Sequence, residues 1–236
     1  DFCLSRGLGD VYKRQQYRGG GALYSNAAIY PVDKSMIEGL DRLDQRVREL
    51  DMCLIGPILT GDAEALKGGP AVTAMLIQNT NPAVVAPETL KVQQGFLRDD
   101  LFVAVHEQFL TETAALADIV IPATTFLEHE DIYQAGGHTF LQVARRVIEP
   151  YAESRSNHWV VQQLARRLGA EHPGFAMSAW ELINRTLRAS GLPDADTLAR
   201  ERWWDCALPF ERAHFLDGFG TPDKRFHFSP DWARLG

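Results

Sequence analysis

The sequence predicts an α/β fold: a parallel sheet flanked by helices, followed by a helical C-terminal part. Three observations carry that expectation. Short apolar runs at Val72–Ile77, Leu101–Val105 and Ile119–Ile121 each stop at polar or Pro-marked residues. A segment with helical spacing, Pro87 to Arg98, lies between the first two. β-Branched runs too short for helices, alternating with amphipathic segments, read as βαβ units and therefore as a parallel sheet. In such sheets ligands sit beyond the carboxyl ends of the strands, where helix N-termini and free loop amides collect. Those ends read Gln78-Asn79-Thr80-Asn81-Pro82 and His106-Glu107-Gln108.

At 236 residues the chain can bury a sizeable core in one large domain or one and a half ordinary ones. Its 45% hydrophobic and 23% charged content is ordinary for a globular protein. A net charge of −7 argues against non-specific nucleic-acid binding, which needs a basic surface. It leaves room for an anionic ligand held by local amides. No apolar run approaches the roughly 20 residues of a spanning helix, so no membrane insertion is expected. Cys3, Cys53 and Cys206 form no CxxC pair, which points to a reducing, cytoplasmic compartment without a disulfide framework. Both ends look cut. Asp1–Gln15 has no periodicity and is taken as a non-native or disordered leader, with Cys3, Gly7 and Gly9 set aside.

Residues 16–70 read as a glycine-rich loop and an irregular or helical lead-in. Arg18 precedes Gly19-Gly20-Gly21, which fits a ligand-facing loop or a plain turn. Lys34 to Leu50 is irregular or a short helix, and Gly68-Gly69-Pro70 marks a turn before the first strand. Cys53 is expected to be a small buried hydrophobe. Residues 71–170 form the expected α/β core. Within it Phe140–Val143 and Val147–Ile148 suggest extended pieces. Ser156 to Leu168 is an amphipathic helix with Ser156 or Asn157 as cap, Gly169 as stop, and Trp159, Val160, Leu164 and Leu168 on one face. Residues 171–236 are a helical segment (Ser178–Ala189, Asp196–Trp204) and the start of a link, with a strand at Arg225–Phe228. Trp203 and Trp204 are expected in the core or against a partner.

Self-contained catalytic signatures fail. His106-Glu107 and His129-Glu130 begin like HExxH, but Leu110 and Tyr133 replace the closing His. No GxSxG elbow, Walker A or GxGxxG follows a strand. Asn184-Arg185-Thr186 fits a glycosylation sequon but falls mid-helix. The strand ends remain. Asn offers donor and acceptor together and Glu only acceptors, a set suited to a guanine edge and ribose hydroxyls. The alternative is that Asn79, Thr80 and Asn81-Pro82 make a plain β-to-helix turn.

The segments QNTNP, LFVAVHEQFLTETAALADIVIPATTFLEHED, GGHTFLQ and ESRSNHWVVQQLARRLG together resemble the molybdopterin oxidoreductase family. This is the group of dimethyl sulfoxide reductase, formate dehydrogenase and periplasmic nitrate reductase, and the resemblance runs from Tyr17 to the C-terminus. Its signature is met by Glu107, Phe109, Thr111-Glu112-Thr113-Ala114, Ala117-Asp118, Pro122 and Glu128. TPDKRFHFS is similar to the family's link into a final barrel domain.

The resemblance implies the third, Rossmann-like domain of an enzyme using bis-(molybdopterin guanine dinucleotide) with molybdenum or tungsten. The implied contacts to one guanine dinucleotide are Asn81, then His106 and Glu107, then His129, and Asn157 at the helix start; Asn79 and Thr80, at the first strand end, are cofactor-binding candidates beside them. Glu107 stands where relatives often have Asp, His129 where they carry Lys, and Asn157 where Asp is frequent. Thr111, Glu112 and Asp118 are expected to keep shape, the first by capping a short helix. Arg18 is a candidate active-site arginine. A [4Fe-4S] cluster and the metal's protein ligand would lie upstream. Cys53 and Cys206 alone cannot hold a four-cysteine cluster, so the chain by itself is expected to have no turnover. Implied partners are the remaining domains of the same subunit and an iron–sulfur electron-transfer subunit. A twin-arginine signal upstream would place the protein in the periplasm. Two alternatives stand beside this reading: a scaffold domain like that of the complex I iron–sulfur subunit, and a plain nucleotide-binding module. The polar strand ends favour binding.

Overall fold

The computed structural model describes residues 30–39, 42, 44, 46–134 and 138–229. The chain divides into two compact units that are not contiguous in sequence. One holds Asp33–Ile132 and Val143–Arg200; the described part of the other comprises residues 30–32, 133–134, 138–142 and 201–229.

The larger unit is built on βαβ chain order. It runs α1 (Ser35–Glu38), α2 (Ile55–Leu59), β1 (Ala74–Gln78), α3 (Pro82–Val85), α4 (Thr89–Phe96), β2 (Phe102–Glu107), α5 (Glu112–Ala115) and β3 (Ile119–Pro122). The strands form a parallel sheet in the order β1-β2-β3. Gln78 lies opposite His106, and Glu107 opposite Pro122. Asp118 sets the start of β3: its Oδ2 accepts from Val103 N at 2.7 Å and its own amide donates to Val103 O at 3.0 Å. That is the shape-keeping part expected of it.

Alternate side chains of a strand leave on opposite faces. Met75, Ile77, Val103 and Val105 meet Leu59, Ala83, Val92 and Phe96 in the main core. Leu76, Phe102 and Ile119, on the other parity, are exposed. Helix α2 comes so close to α4 that a Cβ on Gly95 would lie 2.3 Å from Leu59 Cβ.

After β4 (Asp131–Tyr133) and β5 (Phe140–Ala144), the larger unit continues with α6 (Asn157–Leu168), α7 (Ala179–Ala189) and α8 (Ala195–Glu201). Ser156 caps α6 by accepting from Trp159 N, and Gly169 at φ +67° ends it. Ser178 and Glu181 form a capping box on α7. Arg145 holds the helical part in place: its guanidinium bonds Glu130 and Asp196 at 3.1 and 2.9 Å and lies 3.5 Å from the centre of the Trp180 ring.

The smaller unit contains β6 (Trp204–Asp205) and α9 (Phe210–Ala213). β6 pairs antiparallel with β5, Leu141 opposite Trp204, in a sheet ordered β4-β5-β6. Tyr30 donates to the carbonyl of His138 at 2.6 Å.

Several local expectations are corrected. α8 stops at Glu201 because Arg202 turns to φ +76°, and Trp204 joins a strand instead. Trp203 and Trp204 are half-exposed, Trp203 lying 4.9 Å from the Phe140 ring. Val147 and Ile148 belong to no strand; both amides donate to the carbonyl of Leu127. Arg225–Phe228 is no strand, and Phe226 packs instead between the rings of Phe219 and Phe228. Val160 and Ala165 face inward on α6 while Leu168 is exposed. Cys53 is exposed in a short 3-10 turn, Met52–Leu54, capped by Asp51. Among the described residues no helix is long and apolar enough to cross a membrane.

Candidate functional site

Because β1, β2 and β3 run the same way, their carboxyl ends share one edge of the sheet. The edge is extended by a single parallel bridge between Ala123 and Arg155. Ala123 N donates to Glu107 O at 3.0 Å, Arg155 N to Pro122 O at 3.0 Å, and Thr124 N to Arg155 O at 3.1 Å. The segment leading into α6 therefore lies along β3, and Asn157, the first residue of α6, starts beside the ends of the strands.

Asn79 takes one more ladder bond, its amide donating to His106 O at 3.0 Å, and then leaves the sheet at φ +49°. Asn tolerates that left-handed turn better than most residues. Asn79, Thr80 and Asn157 are exposed and Glu107 is half-buried. One Glu107 oxygen accepts from Gln108 N at 2.7 Å. Gln108 in turn donates to the carbonyl of Thr124 at 2.9 Å. His129, half-buried, has Nδ1 2.8 Å from Thr124 Oγ1 and Nε2 3.7 Å from Asp131. Asn79, Thr80, Glu107, His129 and Asn157 thus lie on segments at or beyond the carboxyl ends of the strands.

Two expected contacts fare differently. His106 is fully buried, with Nδ1 3.1 Å from Gln78 Nε2 and Nε2 2.9 Å from Arg155 O. A carbonyl can only accept, so Nε2 carries a proton and donates to Arg155 O, and Nδ1 is engaged by the Gln78 amide. His106 is an internal clamp on the strand end rather than a ligand contact. His106 shares its face of the sheet with Phe102, and at the strand end Gln78 and the Arg155 carbonyl engage both of its ring nitrogens, while Glu107 points to the opposite face. Asn81 is half-buried and turned toward the protein. Its Oδ1 accepts from Thr113 Oγ1 and Thr113 N at 2.7 and 3.1 Å, and its Nδ2 donates to Glu112 at 2.7 Å. Arg18 and the glycines after it lie outside the described residues.

The structure adds residues that the sequence reading left unassigned. Glu128 is buried at 6% exposure; it accepts from Thr125 N at 2.6 Å, Thr125 Oγ1 at 2.9 Å and Tyr151 N at 2.6 Å. The amides of Thr125 and Tyr151 and the Thr125 hydroxyl hold its carboxyl below the usual glutamate range. The Asn81 amide does the same for Glu112. Arg155 sets a half-buried guanidinium near the α6 start, bonded to Ser154 O at 2.8 Å and 5.5 Å from the Trp159 ring. Its place two residues before Asn157 was the available signal. Among the described residues no group of three or more His, Cys, Asp or Glu is arranged to hold a metal ion.

The family model of the molybdopterin oxidoreductases matches residues 46–167. The probable oxidoreductase YoaE of Bacillus subtilis is 44% identical over 154 residues, 65% of this chain and 22% of that protein. A second Bacillus subtilis probable oxidoreductase, YyaE, is 29% identical over 219 residues, 92% of this chain and 32% of that protein. Among solved structures, acetylene hydratase from Pelobacter acetylenicus superposes with a TM-score of 0.57 at 25% identity, covering 77% of this chain and 25% of that one. The chain thus spans a third or less of the length of each of these relatives. With more than half of its residues, and every strand of the parallel sheet, inside the family model, this chain belongs to the molybdopterin oxidoreductase family.

Proposed function

We propose that the carboxyl edge holds the guanine dinucleotide end of a bis-(molybdopterin guanine dinucleotide) cofactor carrying molybdenum or tungsten, within a larger redox enzyme. When bound, that group supplies two-electron or oxygen-atom-transfer chemistry, while the protein orients it. The observation that supports this reading is the gathering of an acceptor-only carboxylate, Glu107, with the accessible polar side chains of Asn79, Thr80 and Asn157 at one end of a parallel sheet. A guanine edge presents adjacent N–H donors and a ribose presents hydroxyls, and both suit a carboxylate flanked by amides. The donor set therefore fits the group. His129 and Arg155 add nitrogen donors on the same edge, suited to an anionic linker. In this reading a [4Fe-4S] cluster and the metal's protein ligand belong to other parts of the larger polypeptide. An iron–sulfur subunit would exchange electrons with it.

The test is Glu107→Ala in the longer protein, with GMP released by acid hydrolysis measured per polypeptide. Glu107→Ala is expected to lower nucleotide content severalfold, and Glu107→Asp, which keeps the charge, to retain most of it. Unchanged nucleotide in Glu107→Ala would remove Glu107 from the site and with it the proposal.

A further inference from the structure

We infer that Asn81, Thr113 and Glu112 form a latch that fixes the β1 loop to the β2 loop, with Asn81 as a positioning residue and its neighbours Asn79 and Thr80 left to meet the ligand; the ligand part of this inference rests on the guanine reading above. The residues are 31 and 32 positions apart in sequence, so the bonds join two separate strand ends. Thr113 is fully buried and its hydroxyl is committed on both sides: it accepts from Ala83 N at 3.0 Å and donates to Asn81 Oδ1 at 2.7 Å. The same Oδ1 accepts from Thr113 N at 3.1 Å.

That network settles which way the amide points. Thr113 N–H requires an acceptor, so Oδ1 faces α5, and Nδ2 must then face the Glu112 carboxylate, as it does at 2.7 Å. Both lone pairs of Oδ1 are used, and one Nδ2 hydrogen is taken by a charged acceptor. Oδ1 has no lone pair left and Nδ2 keeps one hydrogen, so a donor group of a guanine or a ribose would have to break these bonds to engage Asn81. Asn79 and Thr80, exposed on the same turn, carry no such commitment among the described residues.

The latch also explains how a helix as short as α5 is held. Its first-turn amides lack partners within the helix. Thr111 Oγ1 accepts from Ala114 N at 3.2 Å, and Asn81, from a different strand end, accepts from Thr113 N. α5 is therefore capped twice, once from within its own loop and once from the loop after β1. Pro82 starts α3 directly after Asn81, and the Asn81 carbonyl accepts from Val84 and Val85 amides, so the β1 side is rigid too. The Asn81 amide, together with the Ala83–Thr113 bond beside it, sets the separation of the two loops and hence the setting of Asn79, Thr80 and Glu107.

Two measurements test this. In the 236-residue chain without nucleotide, hydrogen exchange of Asn81→Ala is expected to quicken at Thr113 by about tenfold, the size of one neutral hydrogen bond. Ala83 should quicken too, although Asn81 does not touch it. Unchanged exchange at both amides overturns the latch. In the longer protein, guanine nucleotide retained on purification is compared for Asn81→Ala, Thr113→Val, the double variant and Thr113→Ser. A positioning role predicts that the double variant loses no more than either single one and that Thr113→Ser, which keeps the hydroxyl, stays near wild type. Additive losses would mean that Asn81 itself meets the ligand, and would overturn that role. Should Thr113→Val fail to fold, Glu112→Ala, confined to the exposed arm, takes its place in the same cycle. The exchange measurement needs no nucleotide, so a failure of the guanine reading in Glu107→Ala is told apart from a failure of the latch.

Discussion

Glu128 is a carboxylate taken almost out of water and repaid with three donors, two of them backbone amides on separate segments. It ties the loop after β3, which carries Thr124 and His129, to Tyr151 on the way to Arg155 and Asn157. Its carboxyl in the folded chain titrates below the ordinary 4.5, chiefly through the Thr125 and Tyr151 amides. For a depressed acid the stabilisation is complete above the unfolded value and is lost as pH falls through the folded one. We expect wild type to melt above Glu128→Gln near neutrality and the gap to close well below pH 4.5; a gap independent of pH would show that the bonds do not favour the ionised form. The position of Glu128 could be read in the sequence as part of a signature. Its burial and its three donors could not, because they come from residues up to 23 positions away.

At the scale of elements, the sheet rests on helix α4, and α4 rests on α2 through Gly95. Replacing Gly by Ala inside a helix normally gains about 1 kcal/mol. Here the added Cβ would stand 2.3 Å from Leu59 Cβ, a distance that requires the two helices to part. Overpacking of this kind costs about 1–3 kcal/mol, which outweighs the propensity gain. Gly95→Ala should therefore lower the urea midpoint with an unchanged slope; a stabilised variant would show that the crossing is soft. Strands, caps and helix stops were readable in advance where the signal is local: Ser156 and Gly169 bound α6, and Ser178 with Glu181 opens α7. The end of α8 was not, because Arg202 at φ +76° carries no sequence mark of the kind a glycine gives. Trp204 is drawn into a strand by Leu141, a residue far away in the chain.

At the scale of the whole molecule, the parallel sheet is covered on the face that meets α2 and α4, while Leu76, Phe102 and Ile119 lie open on the other. The chain corresponds to 22–32% of the length of its Bacillus subtilis relatives. Among its described residues no set of three metal-binding side chains comes together. In the proposed function the domain orients the cofactor and supplies no redox centre of its own. We accordingly expect the purified 236-residue chain to show no oxidation of formate and no reduction of nitrate or N-oxides with artificial electron carriers. Measurable turnover in any of these assays would contradict that division of labour.

The alternation of apolar runs and polar stops was enough, by itself, to determine a parallel sheet and to point to the carboxyl ends of its strands, because strand length, side-chain parity and turn chemistry are local properties. The motifs from Gln78 to Leu168 determined the family for the same reason: they are ordered along one chain. What each polar residue at the edge does was decided only by tertiary structure. His106 and Glu107 are neighbours in sequence, yet Gln78 and the Arg155 segment bury the first and leave the second half-exposed. Asn79 and Asn81 carry the same side chain, and only the approach of Thr113 and Glu112 commits the second to the protein. A hydrogen-bonding group serves the fold or a ligand according to which partner reaches it first, and that is set by the packing of segments distant in sequence.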